Sequence, residues 1–455
     1  MLIKDFKQMQ ASSPNLKIAA PLALALVLGL SGCGVFGGKG KPSTPTVGNR
    51  VAILSRVESG AKVDPALADV AVIVPPAAAN PEWPQAGGNA GKSYGNLALA
   101  AAPGRSWTGA IAGSGKKQRL AASPVVGGGQ LFAMGTDGMV SAFDAATGGK
   151  RWSQSFSVKG DASNSVYGGG VSFADDKVYV TTGVGEVAAL DARDGKQLWK
   201  VKPAGPLRGS PTIAFGSVYV MTIDNQILSL DAADGKQQWN EVAATGQTGV
   251  FGVAAPAAGQ GTVIAGYSTG ELVAYRYENG RQLWADALAR TSLSTSVGVL
   301  TDIDADPIID RGRVFALGQG GRMAAYELVS GQRIWELNLA GISTPAIAGD
   351  WIFTLTDDAK LLCIARSNGK VRWITQLTRF HNAEKKSGPV YWTGPVLAGD
   401  RLWFANSDGE IESASVADGV ATPFTKLGAP ITLSPIVAGS TLYVLDDGGR
   451  ITAFR

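Results

Sequence analysis

The sequence predicts an all-β fold: an eight-bladed β-propeller of four-stranded antiparallel blades, closed by an N-terminal strand. Three observations carry this. One phrase recurs along the chain: two alternating apolar runs split by a Gly, Asp or Asn turn, then Asp-Gly or Thr-Gly, then a Trp. Glycine is abundant (60 of 455 residues) and charge is sparse (17%), which favours many short strands with tight turns over a helical bundle. The last repeat stops at Arg455 before a closing strand, while an unmatched Trp-bearing segment stands at Trp107.

Residues 1–32 read as a leader. Lys4, Lys7 and Lys17 flank or precede an apolar run from Ile18 to Leu30. Its length suits the apolar region of an export signal and is short for a membrane span. Leu30-Ser31-Gly32-Cys33 resembles the bacterial lipobox, so Cys33 is the expected lipidation site and the first mature residue. Several acyl chains anchor stably where one is marginal. An ordinary secretory signal with an incidental cysteine is the alternative. Gly34 rather than Asp follows Cys33; by resemblance to Gram-negative lipoproteins, that implies the periplasmic face of the outer membrane. Removing three lysines and Asp5 with the leader takes the net charge from +4 to +2. Residues 33–80 then read as the lipidated Cys, a Gly/Pro/Ser/Thr-rich tether, a mixed stretch from Arg50 to Ala71 with room for a short strand or helix, and the start of a Pro-rich strap from Val72 to Pro84 lying extended on the domain.

Residues 81–455 hold the repeats. Trp152, Trp199, Trp239, Trp284, Trp335 and Trp373 close six of them, at spacings of 47, 40, 45, 51 and 38 residues, which bracket the period of a four-stranded blade. A seventh runs from Leu402 to Phe424 and puts Phe where the others have Trp. Ser123-Pro124, Ser210-Pro211, Thr344-Pro345 and Ser434-Pro435 mark the start of a first strand. Seven blades with the Leu402–Phe424 unit as an appendage is the alternative count. Letting the Trp107 segment complete the eighth unit leaves no open edge at the ring's join. A Trp at one fixed place per blade reads as blade-to-blade packing, and the repeated Asp144, Asp191 and Asp231 read as turn acceptors.

Composition excludes several chemistries. Two cysteines make neither a disulfide framework nor a Cys₄ zinc site, and His381 alone makes no histidine cluster. The loop Thr378–Ser387 holds Arg379, Lys385 and Lys386, too little for a nucleic-acid patch; it reads as a solvated loop with room for a secondary protein contact.

The phrase Leu-Asp-Ala-x-(Asp/Thr)-Gly-Lys-x-x-Trp resembles the repeat of pyrroloquinoline-quinone propellers, from about Ser123 to Arg455. One branch of that family, the quinoprotein dehydrogenases, sets a vicinal disulfide against the quinone, beside Ca²⁺ and an Asp base. Here Cys33 and Cys363 are not vicinal. The other branch comprises the lipoprotein propellers of the outer-membrane β-barrel assembly machinery, which this chain resembles in lipobox, mature length and repeat number. There a Leu-x-Leu-Arg-Gly segment and an Asp-x-Asp segment contact the periplasmic POTRA domains of the barrel-forming subunit. The matching positions are Leu207-Arg208-Gly209, with Gly205 in place of the first Leu, and Asp302 with Asp304. The resemblance implies a non-enzymatic scaffold without cofactor or metal, bound to the barrel subunit and the outer membrane, with unfolded outer-membrane proteins as candidate clients and no nucleic acid. A quinone-dependent periplasmic dehydrogenase and an adaptor of another envelope complex are the competing readings.

Taken as residues, Leu207 is expected to be exposed beside Arg208, an anchor chemistry common at interfaces. Arg208 either pairs with Asp302 or Asp304 on the surface, contributing about 0–1 kcal/mol, or meets a partner, or both. Leu207→Ala or Arg208→Ala should then weaken capture of the barrel subunit and leave thermal stability nearly unchanged.

Overall fold

Turn chemistry shapes each repeat. The hairpin between first and second strands places two successive residues in the left-handed region, Gly128 and Gly129 in one blade and Asp175 and Asp176 in the next, the geometry that matches strand twist in a two-residue turn. The next turns use Gly138 and Gly148 in the first repeat, again at positive φ. The computed structural model describes residues 61–116, 118–156, 167–244, 253–288 and 302–455; Cys33 and the lipobox lie outside them. Among the described residues the strands form eight four-stranded antiparallel sheets and one two-stranded ribbon.

The first sheet comprises Val125–Gly127, Gln130–Met134, Met139–Asp144 and Lys150–Ser155 in sequence order, and five further sheets repeat this through the Trp373 unit. In all six a register shift falls between third and fourth strands, just before the strand reaches the Trp. This bulge turns the Trp toward the neighbouring blade. The seventh repeat is a complete blade of Trp392–Ala398, Arg401–Asn406, Glu410–Ser415 and Ala421–Lys426, so the count is eight. In the last sheet Ile436–Ala438, Thr441–Leu445 and Arg450–Phe454 are joined by Arg105–Ala110, with Trp107 opposite Ala453.

The tryptophans join blades. Seven indoles, from Trp107 to Trp373, each donate Nε1–H to a main-chain carbonyl of the following blade at 2.8–3.2 Å. Each ring lies under the glycine of that blade's last hairpin, where a Cβ would sit 2.4–2.7 Å from the indole. The glycine is therefore required twice, for its positive φ and for the space its missing side chain leaves. At the seventh blade Phe424 packs edge-on against Trp403 and Phe454 instead. Asp144, Asp191 and Asp231 accept main-chain N–H groups two residues on, as turn acceptors should. Hydrogen bonds to Arg151 and Thr147 hold the Asp144 carboxyl down at about 2.

The N-terminal strap is more than a surface strand. A 3₁₀ turn at Pro65–Leu67 is capped by Asp64, and Val63 bridges Val371 on the sixth blade. From Asn80 to Leu97 the chain then circles the axis and pairs with one inner strand after another. Asn80 bonds at Val437 and Gly439, Trp83 at Val126, Pro84 at Phe173, Gln85 at Ile213, Ala90 at Ala258, Gly91 at Ile309 and Leu97 at Leu397. The eighth, seventh and first five blades are thus stitched across one end of the ring.

Candidate docking site at the open end of the axis

The connections leading into the eight first strands converge on the axis. Between them and the Asn80–Leu97 plug lies a cavity of about 460 Å³. Trp83 and Tyr94, ring centroids 4.7 Å apart, form part of its floor; Arg119, Tyr167, Asp304 and Ile342 are among the connection residues that line it.

Two of these connections carry the residues singled out in the sequence. Pro206, Leu207 and Arg208 form a short extended stretch beside the third blade: Arg208 N–H donates to Met221 O, Ile223 N–H donates to Pro206 O, and Leu207 bridges Thr222. Leu207 is fully buried and packs with Tyr179, Val187 and Ile213. The expectation of an exposed Leu207 is therefore corrected: pairing with the second strand's end aims its side chain into the joint between second and third blades. Gly209 follows because the Val253 carbonyl would stand 2.0 Å from any Cβ there.

Arg208 is also buried, at 2% exposure. Its Nη2 lies 2.8 Å from Asp302 Oδ1 and 3.4 Å from Asp304 Oδ1. The sequence reading placed such a pair on the surface; it lies inside, so the estimate for an exposed pair does not apply. Asp302 is 1% exposed and Asp304 11%. Their segment alternates: Asp302, Asp304 and Asp306 turn to polar partners, while Ile303 and Ala305 are fully buried in apolar clusters. Alternation in an extended segment puts successive side chains on opposite faces, which is why one arginine reaches two acids. One cation against two carboxylates leaves an excess negative charge. Burial first, then the neighbouring Asp302 charge, raises the Asp304 carboxyl to about 6, with Arg208 pulling the other way.

Asp306 and Lys92 were not foreseen. Asp306 accepts from Ala255 N–H, and its own N–H donates to Thr344 Oγ1. The third acid of the alternating run could have marked it. Lys92 belongs to the plug, is 1% exposed, and donates from Nζ to Ala86 O and Thr212 Oγ1; nothing in its local sequence signals burial. Elsewhere, the Thr378–Ser387 loop is an exposed two-stranded ribbon, tied by His381 Nε2 to Asp408 Oδ2 at 2.7 Å. Cys363 is buried in a strand, and burial pushes its thiol far up.

Residues 136–375 match the family model described as outer membrane protein assembly factor BamB. The protein of that name from Salmonella typhimurium is 32% identical over 72% of this chain and 83% of its own length. The one from Escherichia coli K12 is 30% identical over 72% and 82%. Among solved structures, BamB from Moraxella catarrhalis superposes with TM-score 0.64 at 20% identity, over 77% of this chain and all of that one. Quinohemoprotein alcohol dehydrogenase from Comamonas testosteroni gives TM-score 0.65 at 14% identity, over 83% and 81%. At those identities both structures speak to fold alone.

Proposed function

The chain belongs to the outer membrane protein assembly factor BamB family, and on that premise we propose that it is a lipid-anchored, non-enzymatic scaffold of the β-barrel assembly complex. It is held at the periplasmic face of the outer membrane through Cys33, docks on the POTRA domains of the barrel-forming subunit, and assists folding and insertion of outer-membrane proteins. The observation that carries the docking assignment is the buried tie from Arg208 to Asp302 and Asp304. It joins connections two blades apart at the open end of the axis, and so fixes the two loops as one rigid surface. Rigid presentation favours binding because little freedom is lost on association.

The buried members act from beneath that surface. Pro206 and Ile223, hydrogen-bonded to each other through the main chain, stand exposed beside the buried Leu207 and Arg208, and Asp304 is the member of the tie that reaches solvent. Client segments are held by strand addition at outer blade edges. The fourth strand of the third blade, Gln237–Val242, offers such an edge, largely exposed with Val242 at 60%.

The test is capture of the barrel-forming subunit from a detergent extract of the envelope by the full-length chain. The wild-type chain is expected to retain the subunit and Ile223→Asp, at an exposed position beside the tie, to lose most of it at unchanged thermal stability. An extract rich in the subunit from which wild-type chain retains none rules out the docking role.

A further inference from the structure

The docking loops are joined to the plug at the other end of the axis by a chain of polar contacts. Lys92 Nζ lies 3.2 Å from Thr212 Oγ1, and that hydroxyl donates to Pro256 O at 2.6 Å. The adjacent residue, Ala255, gives its N–H to Asp306 Oδ1 at 2.8 Å. Lys92, through Thr212, and Asp306, directly, thus converge on two consecutive residues. Its neighbours Ala90 and Gly91 pair with Ala258 and Ile309, in the first strands of the fourth and fifth blades. Lys92 is therefore held where the plug crosses the base of the segment that carries Asp302 and Asp304. Lys92 and Asp306 do not touch, but both ends of this chain of contacts are buried, Lys92 at 1% and Asp306 at 8% exposure, so their charges act on each other through a medium that screens poorly.

We infer that Lys92 is a positioning residue: from the plug it balances the Asp306 carboxylate and thereby holds the Asp302–Asp304 connection in the geometry that engages Arg208. A buried carboxylate stripped of its counter-charge takes up a proton or moves toward water. Either change weakens the acceptor for Ala255 N–H and frees the segment beginning at Asp302. The Asn80–Leu97 segment, covalently continuous with the N-terminal part of the chain, is then an internal brace for the docking surface and not only a cover for the channel. The inference rests on the docking function proposed above.

Four full-length chains test it: wild type, Lys92→Met, Asp306→Asn and the double variant. Hydrogen exchange of residues 302–307, read by mass spectrometry, needs no partner; capture of the barrel-forming subunit reads the function. Lys92→Met should speed exchange in that segment and lower capture, each by about tenfold. The double variant should return both to within about threefold of Asp306→Asn alone, because no buried carboxylate is then left uncompensated. Wild-type exchange in Lys92→Met, or a double variant no better than Lys92→Met, overturns the inference. A rise spread evenly over all eight blades also overturns it, by making Lys92 a general stability residue. If exchange behaves as expected while even wild type captures no subunit, the brace stands and the docking reading fails.

Discussion

Arg208 Nη2 and Asp302 Oδ1 lie 2.8 Å apart across 94 residues of sequence, with 2% and 1% of their side chains exposed. The pair is the ionic link between the connections that open the third and fifth blades. Its burial decides its energetics: the two charges are hardly screened, and each is costly without the other.

Arg208→Ala should therefore destabilise the fold by about 3–5 kcal/mol, because it strands the Asp302 carboxylate. This reverses the expectation of unchanged stability that an exposed pair would give. Replacing both members by apolar residues, as in Arg208→Met with Asp302→Leu, should cost much less. Chemical denaturation of the two variants beside wild type checks the order; equal losses would contradict it.

Asp304 gives the fold a pH dependence of known sign. Burial raises its carboxyl from an ordinary 3.8 to about 6, so the folded chain keeps a proton that the unfolded chain has released between those values. Stability from this group is greatest below about pH 4 and falls as pH rises through about 6. Asp304→Asn should flatten that fall, gaining about 2–3 kcal/mol on wild type between pH 4 and pH 7, less the bond to Arg208. Denaturation midpoints at pH 4.5 and pH 7 measure it, and parallel curves for the two chains would refute it.

The glycine beneath each indole sets a third expectation. In Gly331→Ala the new Cβ would stand 2.4 Å from Trp284 Cγ, at a backbone φ of +70°. Overpacking and left-handed strain together should cost about 2–5 kcal/mol. Trp284→Phe, which loses the bond to Leu328 O, should cost about 1–2 kcal/mol. Melting temperatures of the two variants give the ranking, and a harmless Gly331→Ala would dismiss the close approach.

Cys33→Ser should release the chain from the membrane fraction into the soluble periplasmic extract and remove the acyl mass from its N-terminus. Fractionation and intact mass spectrometry read the two effects; continued membrane association without acyl mass would count against the lipobox.

Most of the ring was legible in the residues because its signals are local and repeated. Asp-Gly turns, alternation and the Trp of each unit specify blades wherever they occur, and the missing last strand pointed back to Trp107. The connections between blades carry no repeat, and there the reading failed. Leu207 looked exposed because a short run rich in Pro and Gly has no periodicity to say which way it faces; its burial follows from a single bridge to Thr222. Val72–Pro84 was recognisable as extended from its prolines. That the chain goes on to circle the axis depends on bonds to seven distant strands. Lys92 is the extreme case: a lysine among Gly, Asn and Ser that only the assembled ring buries.

Trp107 has a consequence for how the molecule comes apart. In open arrays of repeats the end units have one neighbour and fray first. Here the strand holding Trp107 is paired with Arg450–Phe454, and its indole reaches Ala145 in the first blade, so the chain's last sheet and its first are neighbours. No unit is terminal. Unfolding has no end from which to start, and loss of any one joint opens a second free face at once. The expected signature is a single cooperative transition in which Arg455, whose N–H and carbonyl are both bonded to Gly104, is released no earlier than the other blades.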